Sequence, residues 1–379
     1  MKQKNEKQKR IKILQFSLAE SAGGRTQFLL NLWKYIQKDR YQFDFLTFSD
    51  TLSFEDGVLE TGAGVYHLHT YPEENEKKFC QELKDVLKNG YDVIQIATPY
   101  WKNTIIEKVA KECGVKKIII HAHSAGLEAR TNNYKEAMER HNKIKSTVST
   151  DLATDFVACS QLAADWLYGG VIPKEKIVVI NNGIDTKRFG YDPEKRAELR
   201  NREGLENRYV IGFVGRMEPV KNIDYIIDVF KEVYQANPEA FLLMVGDGSL
   251  RRELEDKMEK LFPSEAYCFV GKTDKTEEYL LQMDVLLLPS LFEGFPITLI
   301  EAQCTGLKCL VSTNITDEAL VTDMVEKIPL DRKDIWIGRL NDISYGYRRK
   351  DQGNSIRKHN LDMDSVARKF EQLYACERE

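Results

Sequence analysis

The chain has 379 residues, 42% of them hydrophobic and 30% charged, with a formal net charge of −4. That length suits two ordinary domains, and that composition reads as soluble and globular. The small net charge gives no electrostatic footprint for nucleic acid, seven scattered cysteines without a C-x-x-C pair argue against a disulfide framework or structural zinc, and no apolar run is long enough to span a bilayer.

The first twelve residues, "MKQKNEKQKRIK", carry six basic side chains and one acid. A solubilising tail is the plainer reading, and an electrostatic contact with anionic lipid the sharper one. Charge from the second residue onward does not suit a signal peptide, and a cytoplasmic protein is expected.

From there short apolar, β-branched segments alternate with amphipathic ones. Strand "IKILQF" leads to helix "RTQFLLNLWKYI", strands "YQFDFLTF" and "GVYHLH", and helix "EKKFCQELKDVLK". Strand "YDVIQIA", helix "NTIIEKVAKEC" and strand "KKIIIHAHS" follow. A helical connection then reaches strand "DFVACS", helix "QLAADWLYG" and strand "KIVVINN". The strands are nearly continuous apolar runs, as expected for a parallel sheet covered on both faces.

After "NGIDTKRFGYDPEKRAELRNREGLENR", which has no clear strand, the alternation restarts. It runs through "YVIGFVGR", "NIDYIIDVFKEVYQAN", "AFLLMVGDG", a charged helix, "AYCFVGK", "KTEEYLLQM", "DVLLLPS", "ITLIEAQCTG" and "LKCLVS". The fold expected is α/β, with two doubly wound, Rossmann-like domains facing across a cleft. Their bounds are 1–190 and 191–360, and a tail helix over 361–379 packs on either domain. Ligands in such folds sit at the strand C-termini, and interdomain clefts are a preferred place for them.

At those strand ends the chain places chemistry. Gly23 and Gly24 precede a helix that opens near Arg25, a turn whose amides suit an anion, although a plain glycine-rich loop is the alternative. Arg216 leaves the strand "GFVGR", and Lys221 precedes a helix that Asn222 is placed to cap. A guanidinium fork with an ammonium beside it suits a diphosphate. Gly246 and Gly248 permit a tight turn that Asp247 orients. Gly271 and Lys272 end another strand, where backbone groups have the opportunity to read a flat base.

The stretch "PSLFEGFPITLIEA" carries the strongest pattern. Pro296 fits the first helical turn, leaving the amides of Ile297, Thr298 and Leu299 free to face a ligand. Glu293 lies in the loop before them. Glu301 lies about 7 Å along the helix, and its side chain leans back toward the N-terminus. Two acids so spaced are suited to two diols of one elongated ligand; ordinary helix decoration is the plainer alternative.

Two H-x-H pairs, His67/His69 and His121/His123, put histidines on one strand face, but no carboxylate or cysteine cluster adjoins them in sequence, so no metal site is assigned. His123, at the end of its strand, is read instead as a polar contact or proton-transfer group.

With these residues in place, the chain resembles the retaining glycosyltransferases of family 4, of GT-B fold, and is similar to those that build capsular and exopolysaccharides. "VGRMEPVKN", "VGDG", "NGIDTKRF" and the E-x7-E pair Glu293/Glu301 carry the resemblance, which extends over nearly the whole chain from Ile11. It implies that Arg216 and Lys221 hold the donor diphosphate, Glu301 the ribose, and Glu293 the donor sugar. Gly294, Phe295, Thr298 and Leu299 would line sugar and phosphates, Gly23 and Gly24 would close over the phosphates, and His123 would sit by the transferred sugar. The tail helix would cross back to the first domain.

The resemblance further implies a UDP-sugar donor, a saccharide or lipid-linked acceptor, front-face transfer with retention, closure of the domains, and no cofactor or divalent metal. The D-x-D at Asp362 and Asp364 reads as a helix start. Glu293 is the runner-up for a double-displacement nucleophile. The rival readings are a nucleotide-sugar epimerase on the same fold and a non-catalytic nucleotide-sugar-binding subunit. A dehydrogenase is disfavoured because the dinucleotide fingerprint is missing.

Overall fold

The computed structural model describes residues 9–20, 23–127 and 134–375. Most of the basic N-terminal segment, Met1–Gln8, lies outside the described residues, and with it the lipid-contact reading. The chain divides into two compact units at Asn182/Gly183 and again at Asp362/Met363, the last segment grouping with the first unit. The first division falls eight residues before the expected 190/191. Ile184 accounts for this: it forms an isolated bridge with Asp362, and its amide donates to the carbonyl of Leu361 at 2.9 Å.

The first unit contains β1 (Ile11–Leu18), α1 (Gly24–Tyr35), β2 (Tyr41–Thr47), α2 (Glu55–Leu59), β3 (Val65–His67), α3 (Glu76–Leu87) and β4 (Val93–Thr98). It continues with α4 (Ile105–Glu112), β5 (Lys117–Ala122), α5 (Tyr134–Lys145), β6 (Asp155–Ala158), α6 (Gln161–Tyr168) and β7 (Ile177–Val179). Its seven strands lie in the order β3-β2-β1-β4-β5-β6-β7, all parallel.

The second unit contains α7 (Pro193–Arg202), β8 (Tyr209–Val214), α8 (Ile223–Ala236), β9 (Ala240–Val245), α9 (Arg251–Leu261), β10 (Tyr267–Gly271), α10 (Thr276–Gln282) and β11 (Val285–Leu288). It ends with α11 (Ile297–Cys304), β12 (Lys308–Ser312), β13 (Val325–Ile328), α12 (Lys333–Ser344) and α13 (Gly353–Lys358), while α14 (Met363–Tyr374) belongs to the first unit. Six parallel strands are ordered β10-β9-β8-β11-β12-β13.

Both sheets are doubly wound α/β. All six residues of β8 are buried, which is what its unbroken apolar run requires of a strand covered on both faces. In α8 the buried set Ile223, Ile226, Ile227, Val229, Phe230 and Val233 follows the helical period and packs onto that sheet.

Four elements of the second unit, α7, β13, α12 and α13, were not read from the sequence. α7 lies in the polar connection; Asp192 caps it through the amides of Glu194 and Lys195. Its Arg196 and Arg200 reach Asp284, at the start of β11, at 2.5 and 3.2 Å. β13 is an edge strand with only Ile328 fully buried, so its sequence lacks an apolar run. α12 buries only Trp336 and Leu340, against the α8 side of the sheet.

In the first unit, α14 packs on α1 and the strands. Phe370 meets Phe28 with ring centroids 5.7 Å apart, and Glu371 accepts from the amide and side chain of Gln37 at 2.9 and 3.0 Å. Asp364 stands in the first turn of this helix, as the D-x-D reading had it.

The loops after β8 and β9 touch backbone to backbone. Gly246 has φ +125°, and a Cβ there would stand 1.9 Å from the carbonyl oxygen of Gly215. Asp247 orients this turn by accepting from the Gly248 amide at 2.7 Å. Gly246→Ala is therefore expected to cost roughly 3 kcal/mol in denaturant unfolding, from backbone strain plus a clash that no side chain can relieve. An unchanged midpoint would contradict this packing.

Candidate active site

The strand order of the second sheet reverses between β8 and β11. Loops leaving two such strands depart to opposite sides and open a crevice at the strand C-termini. Arg216 follows β8 there, after Gly215, and Glu293 follows β11. The two loops are tied together: the Leu291 amide donates to Val220 O at 2.8 Å, and Asn222 Nδ2 donates to Pro289 O at 3.3 Å. Asn222 therefore does not cap α8 with its side chain. It adopts a left-handed conformation, φ 54°, and spends its amide on the neighbouring loop.

Lys221 closes the short turn Pro219–Lys221, which aims its ammonium at Glu293. Nζ lies 2.5 Å from Glu293 Oε1, and Ser290 Oγ donates to the same oxygen at 2.7 Å. The Lys221 and Glu293 side chains are only 14% and 13% exposed, so the ion pair is shielded from water. Ser290 was not singled out in the sequence, although it stands in the same quoted stretch.

At α11 the proline is the N-cap, one position earlier than expected. The Leu299 amide donates to Pro296 O at 3.0 Å and its side chain is fully buried, so Leu299 offers a ligand nothing directly. Ile297 and Thr298 keep the amides at the open end of the helix. Phe295 is buried, leaving its backbone and that of Gly294 along the loop.

Glu301, one turn further, is half-buried and flanked by the buried apolar residues of α11. Burial pushes its carboxyl up to about 7, opposed by the positive charge of Arg188 and reinforced by Glu277. Gly271 ends β10 at φ +83°, and Lys272 beyond it is exposed. These positions all belong to one unit.

His123, Gly23 and Gly24 belong to the other. Gly23 is the N-cap of α1, and Gly24 is its first residue. His123 lies just past β5, its ring 3.9 Å from that of His121 and 5.3 Å from that of Phe28. Burial, with His121 and Arg25 adding to it, drives the His123 imidazole well below its ordinary range. It is neutral at pH 7, which favours the polar-contact reading over proton donation.

His121 is held too. Gln95 Oε1 accepts from Gln15 Nε2 at 3.3 Å and from the Tyr374 hydroxyl, which turns Gln95 Nε2 toward His121 Nδ1 at 3.0 Å. The imidazole of His121 thus carries its proton on Nε2. Its own value is pushed down to about 3 by burial. No sequence signal joined Gln15, Gln95 and Tyr374; they meet only through the sheet and α14.

The other H-x-H pair is split. His67 ends β3 with Nε2 3.0 Å from Glu55, and His69 lies beyond the strand, exposed. Among the described residues no three His, Cys, Asp or Glu side chains are grouped as metal ligands. No described helix is long and apolar enough to cross a membrane.

Two family models match the chain in succession, glycosyltransferase family 4 over residues 22–188 and glycosyl transferases group 1 over residues 195–334. A galactosyltransferase of Escherichia coli, UDP-Gal:alpha-D-GlcNAc-diphosphoundecaprenol alpha-1,3-galactosyltransferase, is 32% identical over 265 residues, covering 68% of this chain and 67% of the relative. The chain belongs to glycosyltransferase family 4.

This glycosyltransferase is also 26% identical over 319 residues to EpsF of Bacillus subtilis (strain 168), named a glycosyltransferase, covering 83% of this chain and 82% of EpsF. Its fold matches that of Anabaena Alr3699/HepE, solved in complex with UDP and glucose. The TM-score is 0.75 at 19% identity, over 97% of this chain and 100% of the other. The fold of the glycosyltransferase is GT-B, with two Rossmann-like sheets of seven and six strands.

Proposed function

We propose that this glycosyltransferase moves a hexose-type sugar from a UDP-sugar to a saccharide or lipid-linked acceptor, with retention of anomeric configuration, in the synthesis of a cell-surface polysaccharide. The observation that carries the reading is the shielded Lys221–Glu293 contact at the switch point of the second sheet, flanked by Arg216 and by the open start of α11. The Escherichia coli relative is named for a UDP-galactose donor and a diphosphoundecaprenol-linked acceptor, and HepE was solved with UDP and glucose. Both support the choice of donor, and the first supports the acceptor class.

In this reading the diphosphate lies against Arg216, Lys221 and the amides of Ile297 and Thr298. As the bond from the anomeric carbon to the diphosphate oxygen breaks, negative charge grows on that oxygen, and these groups meet it without reorganising. The reaction so drawn calls for no divalent cation. The acceptor hydroxyl attacks from the same face, and its proton passes to a phosphate oxygen. Glu293 already accepts two hydrogen bonds on one oxygen, from Lys221 and Ser290, which lowers its nucleophilicity. That supports a role in holding sugar hydroxyls over one in double displacement. His123 serves as a neutral hydrogen-bond partner of the transferred sugar, and Glu301 accepts from the ribose diol.

Incubation with UDP-, GDP- and ADP-sugars, with released nucleotide and product configuration read together, tests the proposal. UDP release with an axial donor bond kept axial in the product is expected. Inversion, or no release from any donor with acceptor saccharides supplied, would sink it.

The state of Glu301 adds a pH dependence. Only the carboxylate accepts from both hydroxyls of a diol, and its free-state value is raised to about 7. Donor affinity is therefore expected to hold above pH 7 and to fall as pH drops through 7, approaching tenfold per unit. Titration of UDP between pH 5.5 and 8.5 checks this; Glu301→Gln should flatten the limb.

A further inference from the structure

Arg188 stands in "NGIDTKRF", a segment whose role the donor site leaves unassigned. The segment is well held. Asp185 Oδ1 accepts from the amides of Lys187 and Arg188 at 3.0 and 3.1 Å, and Arg357 Nη1 donates to Thr186 Oγ1 at 2.7 Å. From this base the guanidinium reaches Glu277, with Nε at 2.8 Å and Nη2 at 2.6 Å. Nη2 also donates to the carbonyl of Asp274. One side chain thus holds the far end of the turn between β10 and α10, the turn that begins with Lys272, to the first turn of α10. Within it the Lys275 amide donates to Thr273 Oγ1 at 3.0 Å.

The same guanidinium acts on Glu301. The charged and titratable groups facing that carboxyl are Arg188 from this segment, Glu277 from α10, and Cys304 from its own helix. Arg188 supplies the positive charge, and Glu277 opposes it. The Glu301 carboxylate accepts no hydrogen bond from the described residues, so its ionised form depends on this balance until hydroxyls arrive.

We propose that Arg188 is a positioning residue of the donor site: it fixes the turn after β10, where the base would be read, and lends Glu301 the charge that keeps it an acceptor for the ribose. This rests on the donor reading given above. It joins two parts of nucleoside recognition through one side chain that need not touch the donor.

The test is titration of the wild type, Arg188→Met, Arg188→Lys and Glu277→Gln with UDP, GDP and ADP from pH 6 to 9, with donor KM and kcat measured alongside. Arg188→Met is expected to weaken UDP about tenfold at pH 7 and to move the acidic limb up by about one pH unit, with kcat at saturating donor within about threefold. Arg188→Lys should return the limb toward its wild-type position but recover affinity only in part, because the fork onto Glu277 and Asp274 is lost. Glu277→Gln removes the opposing charge and should move the limb down.

Opposite shifts in the Arg188 and Glu277 variants are the signature, since a turn that merely loosened would move both the same way. Shifts of one sign in Arg188→Met and Glu277→Gln, or unaltered profiles in these two when they bind UDP, would overturn the assignment of Arg188 alone. A wild type that binds none of the three diphosphates overturns the donor reading and this inference with it. If Arg188→Met fails to fold, Glu277→Gln decides the matter: a limb that moves down supports the assignment, and one that stays or moves up overturns it.

Discussion

Replacing Arg216 by alanine is expected to lower kcat by about 10²–10³ at saturating donor, the usual loss when one preorganised charge donor is removed from a transition state. The position explains the size. Arg216 leaves a fully buried strand at the switch point, and its turn is closed by the Glu218 amide on the Arg216 carbonyl at 2.9 Å. The neighbouring turn is fixed in the same way, by the Met217 amide on Asp247 O at 2.9 Å. A guanidinium held from such a backbone loses little entropy when charge develops near it. Single-turnover release of nucleotide is the measurement. Release within threefold of the wild type would remove Arg216 from the site. Arg216→Lys should recover part of the rate, because the charge returns without the planar fork.

Lys221 and Glu293 are expected to be strongly coupled. In a double-mutant cycle of Lys221→Ala and Glu293→Gln, donor binding should show a coupling of about 1–3 kcal/mol, as for residues in direct contact. Lys221→Ala alone is the harsher change. It removes a diphosphate donor and also leaves a shielded carboxylate with Ser290 as its remaining partner. A rate loss of about 10²–10³ with a lowered melting temperature is expected. Glu293→Gln keeps the shape and removes the charge, so a smaller loss is expected. Additive effects in the cycle would mean that the 2.5 Å contact has no bearing on the donor.

Much of the fold was legible because it is written in local terms. Unbroken apolar runs such as "VLLL" of β11 mark strands buried on both faces, and the helical period of α8 marks its core side. The elements that escaped lack those marks. β13 sits at a sheet edge where half-exposed residues suffice, and α12 needs only Trp336 and Leu340 to seat it. α7 lies in a polar connection, and what holds it is Arg196 and Arg200 on Asp284, more than eighty residues away.

The candidate site divides in the same way. Its strand-end residues and the spacing of its two acids are properties of the chain, since a strand, a turn and a helix of given length place Glu293 in the loop and Glu301 on the helix that follows it. Which charges meet is decided by the winding of the sheet. Only the order β8-β11 brings Lys221 to Glu293, and only the packing of α10 against the segment after Gly183 brings Arg188 to Glu277 and Glu301. Tyr374, Gln95 and His121 likewise share a hydrogen-bonded chain because α14 returns to the first sheet. Local sequence governs hydrogen bonds and periodicity within about one element, whereas electrostatic and packing partners are neighbours in space. Their identity follows from the topology.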